Sequence, residues 1–358
     1  MPEPLKNLYT TELITSVARA IKSVYPTFNS TRFKKRVFDK DWPERELKQR
    51  LRHITLCLGE FLPTDYLQAL TILKNVPSQF YGFEYMFFPD FVEVYGMKHF
   101  DESMIALEQF TKDSTSELAI RPFIIKYPQK AMRQMVRWSR SDNHHVRRLA
   151  SEGCRPRLPW AMALGEFKRD PTPIFKILER LKQDESEYVR RSVANNLNDI
   201  AKDHPELVYQ TAKQWLGVHS DTDKLVKHAC RTLLKRGEPR VLRLFGFKKA
   251  GHITLNKFKL DKSVKRGQSI CFSFQLDTPA RALGKLRIEY ALGFMRANGT
   301  LSAKIFKISE SDYREQSKAI SKSHSFKKIS TRRFYPGTHS LAIIVNGNEL
   351  VKKHFQLQ

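Results

Sequence analysis

Asp142-Asn-His-His-Val-Arg-Arg148, Asp184-Glu-Ser-Glu-Tyr-Val-Arg-Arg191 and Asp221-Thr-Asp-Lys-Leu-Val-Lys227 share one pattern: an aspartate, then four or five residues later an aliphatic residue followed by one or two cations. Ile120-Arg121 is a shortened copy. The three valines are spaced 43 and 37 residues apart, close to the period of HEAT-type helical repeats, in which an aspartate precedes Val-Arg at the start of each second helix. The sequence therefore predicts an α-solenoid. Stacked second helices set their cations at regular intervals along a concave surface, a shape and charge suited to a duplex backbone. The same arginines can also pair with the aspartate of their own repeat. The two uses are compatible, because each repeat has more cations than its one aspartate neutralises.

Outward from this block, residues 5 to 250 read as helix after helix. Leu47, Leu51, Ile54, Leu58 and Phe61 recur at helical spacing, and a further helix begins at Asp65 just after Pro63. The dense aromatic run between Phe80 and Tyr95 lies in a stretch without excess charge and is assigned to packing between helices. After Lys248-Lys249-Ala250-Gly251 the period changes to two. Ser269–Leu276, Leu286–Leu292, Leu301–Ile308 and Ser340–Val345 alternate, with turns at Lys265-Arg-Gly-Gln, Ala297-Asn-Gly and Pro336-Gly between them. The predicted fold is mainly α: a HEAT-like α-solenoid over 1–248, followed by an all-β sandwich of immunoglobulin type over 251–358.

The 358 residues carry 63 Lys+Arg against 37 Asp+Glu, a formal charge of +26. Residues 1–120 are near neutral at -1, whereas 121–250 carry +14 and 251–358 carry +13. Such one-sided charge points to a polyanionic partner, nucleic acid first. Arg121, Arg147, Arg148, Arg155, Arg191 and Lys227 are the cations placed on DNA. A mean hydropathy of -0.48 and no apolar run near 18 residues argue against a membrane span. Cys57, Cys154, Cys230 and Cys271 are widely spaced, which favours neither a zinc site nor a disulfide framework and fits a reducing cytoplasm. The N-terminus lacks the pattern of a secretion signal. Common NTPase, hydrolase and zincin motifs are absent from the sequence.

Acidic residues inside the basic block stand out. Between 121 and 160 there are ten basic residues and two acidic ones, and Glu152 follows Arg148 by four, on the same helical face. Glu117 precedes Arg121 by four, and Asp199 lies two turns after Arg191. Each is explained either by a local salt bridge or by carboxylates of successive repeats converging on one cavity. Trp160, after two helix-breaking prolines, either faces a cationic base or packs the core between repeats.

Three segments, Ser116-Glu-Leu-Ala-Ile-Arg-Pro-Phe123, Val146–Ala161 and Ser192–Pro205, resemble the signature segments of the AlkC alkylpurine DNA glycosylases. The resemblance extends through Glu46-Leu-Lys-Gln-Arg50 and Leu62-Pro-Thr-Asp-Tyr66 to Ala297-Asn-Gly299 and Tyr335-Pro-Gly-Thr-His339, so it spans nearly the whole chain. It implies HEAT-like repeats wrapped on DNA, an immunoglobulin-like C-terminal domain, and removal of 3-methyladenine and 3-methylcytosine without deep insertion of the base into a pocket. By motif position, Glu117 and Asp199 are implied as active-site carboxylates, and Arg148, Glu152 and Trp160 as lining the lesion site. Leu118 departs from the pattern, standing where the motif carries an aromatic.

The residue types agree with that chemistry. A base alkylated at N3 is cationic and leaves without a general acid, so the barrier lies in the oxocarbenium sugar and in delivering water. Two carboxylates suit both tasks, with Glu152 as a third acid beside them, and the π face of Trp160 favours a cationic base. The expectation is a monomeric enzyme with no metal or organic cofactor, acting on double-stranded DNA containing alkylated bases. The competing reading is a non-catalytic HEAT scaffold that binds nucleic acid.

Overall fold

The structure, a computed structural model, describes residues 3–76, 80–329 and 332–358. Along the chain the α-helices are α1 (Thr11–Val24), α2 (Ser30–Val37), α3 (Leu47–Phe61), α4 (Tyr66–Lys74), α5 (Phe87–Tyr95), α6 (Phe100–Phe110), α7 (Ile120–Lys126), α8 (Pro128–Trp138), α9 (His144–Glu152), α10 (Gly165–Arg169), α11 (Thr172–Leu181), α12 (Glu187–Ile200), α13 (Pro205–Trp215), α14 (Ser220–Ala229), α15 (Arg231–Lys235) and α16 (Pro239–Leu244). Two compact units result: Met1–His204 with Trp215–Ala229, and Pro205–Gln214 with Cys230–Gln358. Among the described residues no helix is long and apolar enough to cross a membrane.

In the first unit, side chains fix where helices begin. Thr10, Asn29 and Asp65 each accept a hydrogen bond from the backbone N–H three residues on, which satisfies one of the orphan donors of a first turn. The predicted start of α4 at Asp65 is one of these caps. Leu51, Ile54 and Leu58 of α3 are buried, as their spacing demands, and so are Phe87, Phe88 and Phe91 of the aromatic run. That run is core.

The repeated motif opens α9, α12 and α14. Its valines, Val146, Val189 and Val226, are buried, and α12 packs side by side with both α9 and α14. The ion pairs of Arg147 and Arg190 run between motifs, a correction to the pairing of these arginines within their own repeat; among the described residues, only in the third motif does the aspartate hold a cation of its own segment, Asp221 with Lys224 at 2.8 Å. Arg147 Nε reaches Asp184 Oδ2 at 2.6 Å, and Arg190 reaches Asp221 at 3.4 Å. On its own side Arg147 donates to the carbonyl oxygens of Ser141 and Asp142. Arg147 and Arg190 thus each join the start of their helix to the start of the next, which registers the α9–α12–α14 row.

In the second unit, β1 (Thr254–Leu260), β3 (Ser269–Asp277) and β6 (Ser317–Ser325) form a three-stranded sheet in the order β1-β3-β6. The strands β2 (Ser263–Val264), β4 (Gly284–Met295), β5 (Leu301–Tyr313), β7 (Gly337–Val345) and β8 (Asn348–Leu357) form a second sheet in the order β2-β8-β7-β4-β5. One shared core takes Ile270, Phe272 and Phe274 from β3 and Ile288, Leu292, Leu341 and Ile343 from β4 and β7. This is the sandwich expected from the alternating segments. The β7–β8 turn holds Asn346 and Gly347 at φ of 48° and 82°, the left-handed pair that a two-residue hairpin requires.

Candidate active site

Glu117 sits in the turn just before α7, a segment pinned where Ser116 Oγ donates to the Leu107 carbonyl oxygen. Arg148 and Glu152 lie one turn apart at the end of α9, Arg155 in the loop that follows, and Asp199 at the end of α12. The stacking of α9 against α12 brings these groups together. Arg148 grips both Glu117 oxygens, at 3.1 and 3.3 Å, and stands 3.8 Å from Glu152. Arg155 donates to Glu152 Oε1 at 2.6 Å and to Asp199 Oδ2 at 2.9 Å. Lys202 closes the row on Asp199 Oδ1 at 3.0 Å. Acid and base alternate along one continuous line: Glu117, Arg148, Glu152, Arg155, Asp199, Lys202.

This alternation lets three carboxylates share one region, because each interposed cation offsets the repulsion between the acids on either side of it. Burial opposes the Arg148 cation, but Glu117 and Glu152 outweigh it and raise its pKa. Arg155 behaves likewise, with burial overcome by Glu152 and Asp199. The second Glu152 oxygen accepts from Ser192 Oγ at 2.7 Å, and the Arg148 guanidinium lies 4.6 Å from the Tyr188 ring centre. Exposure differs along the row. The Glu117 side chain is 13% accessible, Glu152 7% and Asp199 2%.

Arg121 is a correction. The sequence places it on a phosphate; the structure buries it completely, with its guanidinium donating to the carbonyl oxygens of Gly153, Arg155 and Met162. Desolvation lowers its pKa to about 10. It holds the loop that carries Arg155 and Trp160. Arg147 and Arg155 are also nine-tenths buried and committed to carboxylates, whereas Arg191 and Lys227 are exposed. Arg191 lines a groove with Arg190, Lys224 and His228.

Trp160 is 56% exposed and takes a left-handed backbone at φ 64°. It does not pack the core. Its carbonyl oxygen accepts from Lys48 Nζ at 2.7 Å, and its ring meets Phe83 edge-on at 5.7 Å, at the rim of a cleft also lined by Leu51, Met86 and Leu118. Sequence reasoning missed Lys48, Tyr188, Ser192 and Lys202. Only Lys202, three residues after Asp199 on one helical face, left a local signal.

Residues 108–233 match the family described as "DNA alkylation repair enzyme", and residues 254–358 match "Uncharacterised protein YhaZ, C-terminal Ig-like domain". The chain is 46% identical to the uncharacterized protein YhaZ of Bacillus subtilis (strain 168), with 99% of each covered. It is also similar to the Pseudomonas fluorescens alkylpurine DNA glycosylase AlkC, solved bound to DNA containing an abasic site analog. The two share 36% identity and a TM-score of 0.94, over 99% of this chain and 100% of that one. The chain belongs to the AlkC family. Its match extends over both the helices and the Ig-like domain, as AlkC-family resemblance in Val146–Ala161 and Tyr335–His339 implied. Among the described residues, no group of three or more His, Cys, Asp or Glu is arranged to hold a metal ion.

Proposed function

We propose that this chain is a DNA glycosylase that hydrolyses the N-glycosidic bond of cationic alkylated bases, 3-methyladenine and 3-methylcytosine, in double-stranded DNA, and so initiates base excision repair. The observation that carries this reading is the line Glu117–Arg148–Glu152–Arg155–Asp199 beside an exposed Trp160. The whole-chain likeness to a glycosylase bound to abasic-site DNA supports it. The helical unit is a HEAT-like solenoid in this reading, with α9, α12 and α14 as successive second helices and a boundary to the immunoglobulin-like domain near 248–251.

A base alkylated at N3 already carries the charge that makes it leave, so the enzyme acts on the sugar and the water. Glu117, the least buried of the three acids, is the group that approaches the anomeric carbon and its attacking water. Glu152 and Asp199 are held by Arg155 behind it and supply fixed negative charge where the oxocarbenium ion develops. Trp160 offers a π face to the cationic base. Arg148 keeps both Glu117 oxygens in place until substrate arrives.

Base release from DNA methylated at adenine N3 and cytosine N3 tests the reading. Glu117→Gln and Asp199→Asn should each lower release by orders of magnitude, with binding of undamaged DNA level or tighter because a negative charge near phosphate is gone. Uracil and hypoxanthine, neutral leaving bases, should stay in place. Near-wild-type release by both variants sinks the assignment, and no release by the wild-type chain leaves a binding scaffold.

A further inference from the structure

From Leu118 to Ser141 the chain has six cations and no acidic residue. Arg121 is walled in, but Lys126, Lys130, Arg133, Arg137 and Arg140 are all exposed. Ala131, Met135 and Trp138 bury one face of α8, and Lys130, Arg133 and Arg137, at i, i+3 and i+7, line the opposite one, with Lys126 and Arg140 just beyond its two ends. Among the described residues none of these five makes an ion pair, whereas Arg147, Arg148 and Arg155, next along the chain, are all bound to carboxylates. Nearby acids do not reach them. Glu108 of α6 accepts from the Trp138 indole N–H at 2.8 Å, and Asp101 and Glu102, in the first turn of α6, pair with none of the five. Instead, rings hold the two lysines: Lys126 Nζ lies 5.2 Å from the Tyr127 ring centre and Lys130 Nζ 5.9 Å from that of Phe100, the two rings meeting edge-on at 5.5 Å. Tyr127 is fixed in turn by its hydroxyl, which donates to the Met97 carbonyl oxygen at 2.9 Å.

We propose that α8 is a second nucleic-acid surface, holding the phosphate backbone of a separate duplex segment, so that one chain bridges two stretches of DNA. Uncompensated cations repel one another until a polyanion meets them. Those of α8 span about 10 Å along the helix, the length of about three phosphates on one strand of a duplex. A protein partner needs an apolar centre to its patch, but the apolar face of α8 is inside the fold, and the large apolar residues exposed on α6 and α7, Ile105 and Ile125, stand one to a helix. The same burial leaves α8 no face to sink into a membrane interface. In the solenoid reading, on which this placement rests, α9, α12 and α14 face the first duplex and α8 belongs to the layer behind them. None of the five cations bonds to Glu117, Glu152 or Asp199, whose partners are Arg148, Arg155 and Lys202. A chain held on one duplex by its site thus meets a second at raised effective concentration and passes between segments without returning to solution.

Beads carrying a biotinylated duplex with an abasic-site analog, loaded with the full chain and washed, should capture a second, fluorescent, undamaged duplex. Replacing Lys130, Arg133 and Arg137 together by Gln should lower that capture at least tenfold at low salt and reduce its salt slope by about 2–3, while affinity for the first duplex and base release from methylated DNA stay within twofold. Arg133→Glu alone should lower capture at least threefold, which keeps the test open if the triple variant does not fold. No capture by the wild-type chain, or unchanged capture by these variants, overturns the inference. Loss of first-duplex affinity or base release in proportion to capture also overturns it, because the cations then belong to the first site. Capture of phosphatidylserine vesicles or polyglutamate in place of duplex assigns the stripe to a membrane or an acidic protein and overturns it as well. Capture of the second duplex by a chain that releases no base keeps this surface and removes the glycosylase reading; base release without capture does the reverse.

Discussion

Arg155 is shared by two carboxylates that the fold buries, Glu152 and Asp199. Its removal leaves both acids facing each other in a region where water cannot compensate. Breaking a buried pair of this kind costs about 3–5 kcal/mol, so Arg155→Met should unfold at markedly lower denaturant, read as a shift in the urea midpoint, and lose base release with it. Arg155→Lys should recover part of the stability. At this scale the sequence was a poor guide to partners. Helical spacing pairs Glu152 with Arg148, the weakest contact of the row at 3.8 Å, whereas the strong bonds join Glu117 to Arg148 and Arg155 to Asp199 across 31 and 44 residues. A spacing rule sees one helix, and this site is made by two helices and two loops. Arg121 fails for the same reason: nothing local distinguishes a guanidinium that will be walled in by three carbonyl oxygens from one that stays in solvent.

At the scale of elements, three of the four strands found in the sequence have a well-buried face. β3 alternates, β4 is buried along most of its length and β7 ends in an apolar run, whereas β5, found by its alternation, has no fully buried residue, and β1, β6 and β8 expose most of theirs and carry little periodic signal. The Asn346-Gly347 turn joining β7 to β8 has a further constraint. A Cβ on Gly347 would lie 2.8 Å from Leu242 Cδ1 and 2.9 Å from the Gly237 Cα, at a φ of 82° that other residues avoid. Gly347→Ala should therefore destabilise the second unit by about 1–3 kcal/mol, seen in thermal unfolding. The sandwich also contains a pH-sensitive group. Burial, followed by the Arg332 and Lys304 cations, lowers the His324 pKa to about 4, and its Nδ1 lies 2.9 Å from the Tyr290 hydroxyl. Because the unfolded ring takes its proton near 6.5, stability is full above that pH and falls as the pH drops from 6.5 towards 4. The loss is about 1–2 kcal/mol after allowance for the ring's partial exposure. His324→Phe should flatten the pH dependence of the unfolding midpoint in that window.

For the whole molecule, the decisive quantity is how much of the charge is exposed. The +26 excess was legible at once, but much of the arginine in the helical block is buried against carboxylates and carbonyl oxygens, and the exposed cations are a smaller set. Arg191, Lys224 and Lys227 lie on α12 and α14, and Arg266, Lys328 and Arg333 lie on the exposed surface of the β unit. If both sets meet phosphate, each neutralised contact lowers the slope of log affinity against log salt by about 0.9. Changing either trio to Gln should then reduce the slope by about 2–3 and weaken methylated and undamaged duplexes alike, because phosphate contacts carry no lesion information. Base release at saturating enzyme should be unchanged, since neither trio touches the Glu117–Asp199 line. A β-unit trio that leaves the slope intact would assign its charge to something other than DNA. A trio that changes saturating release would mean that these cations also position the lesion.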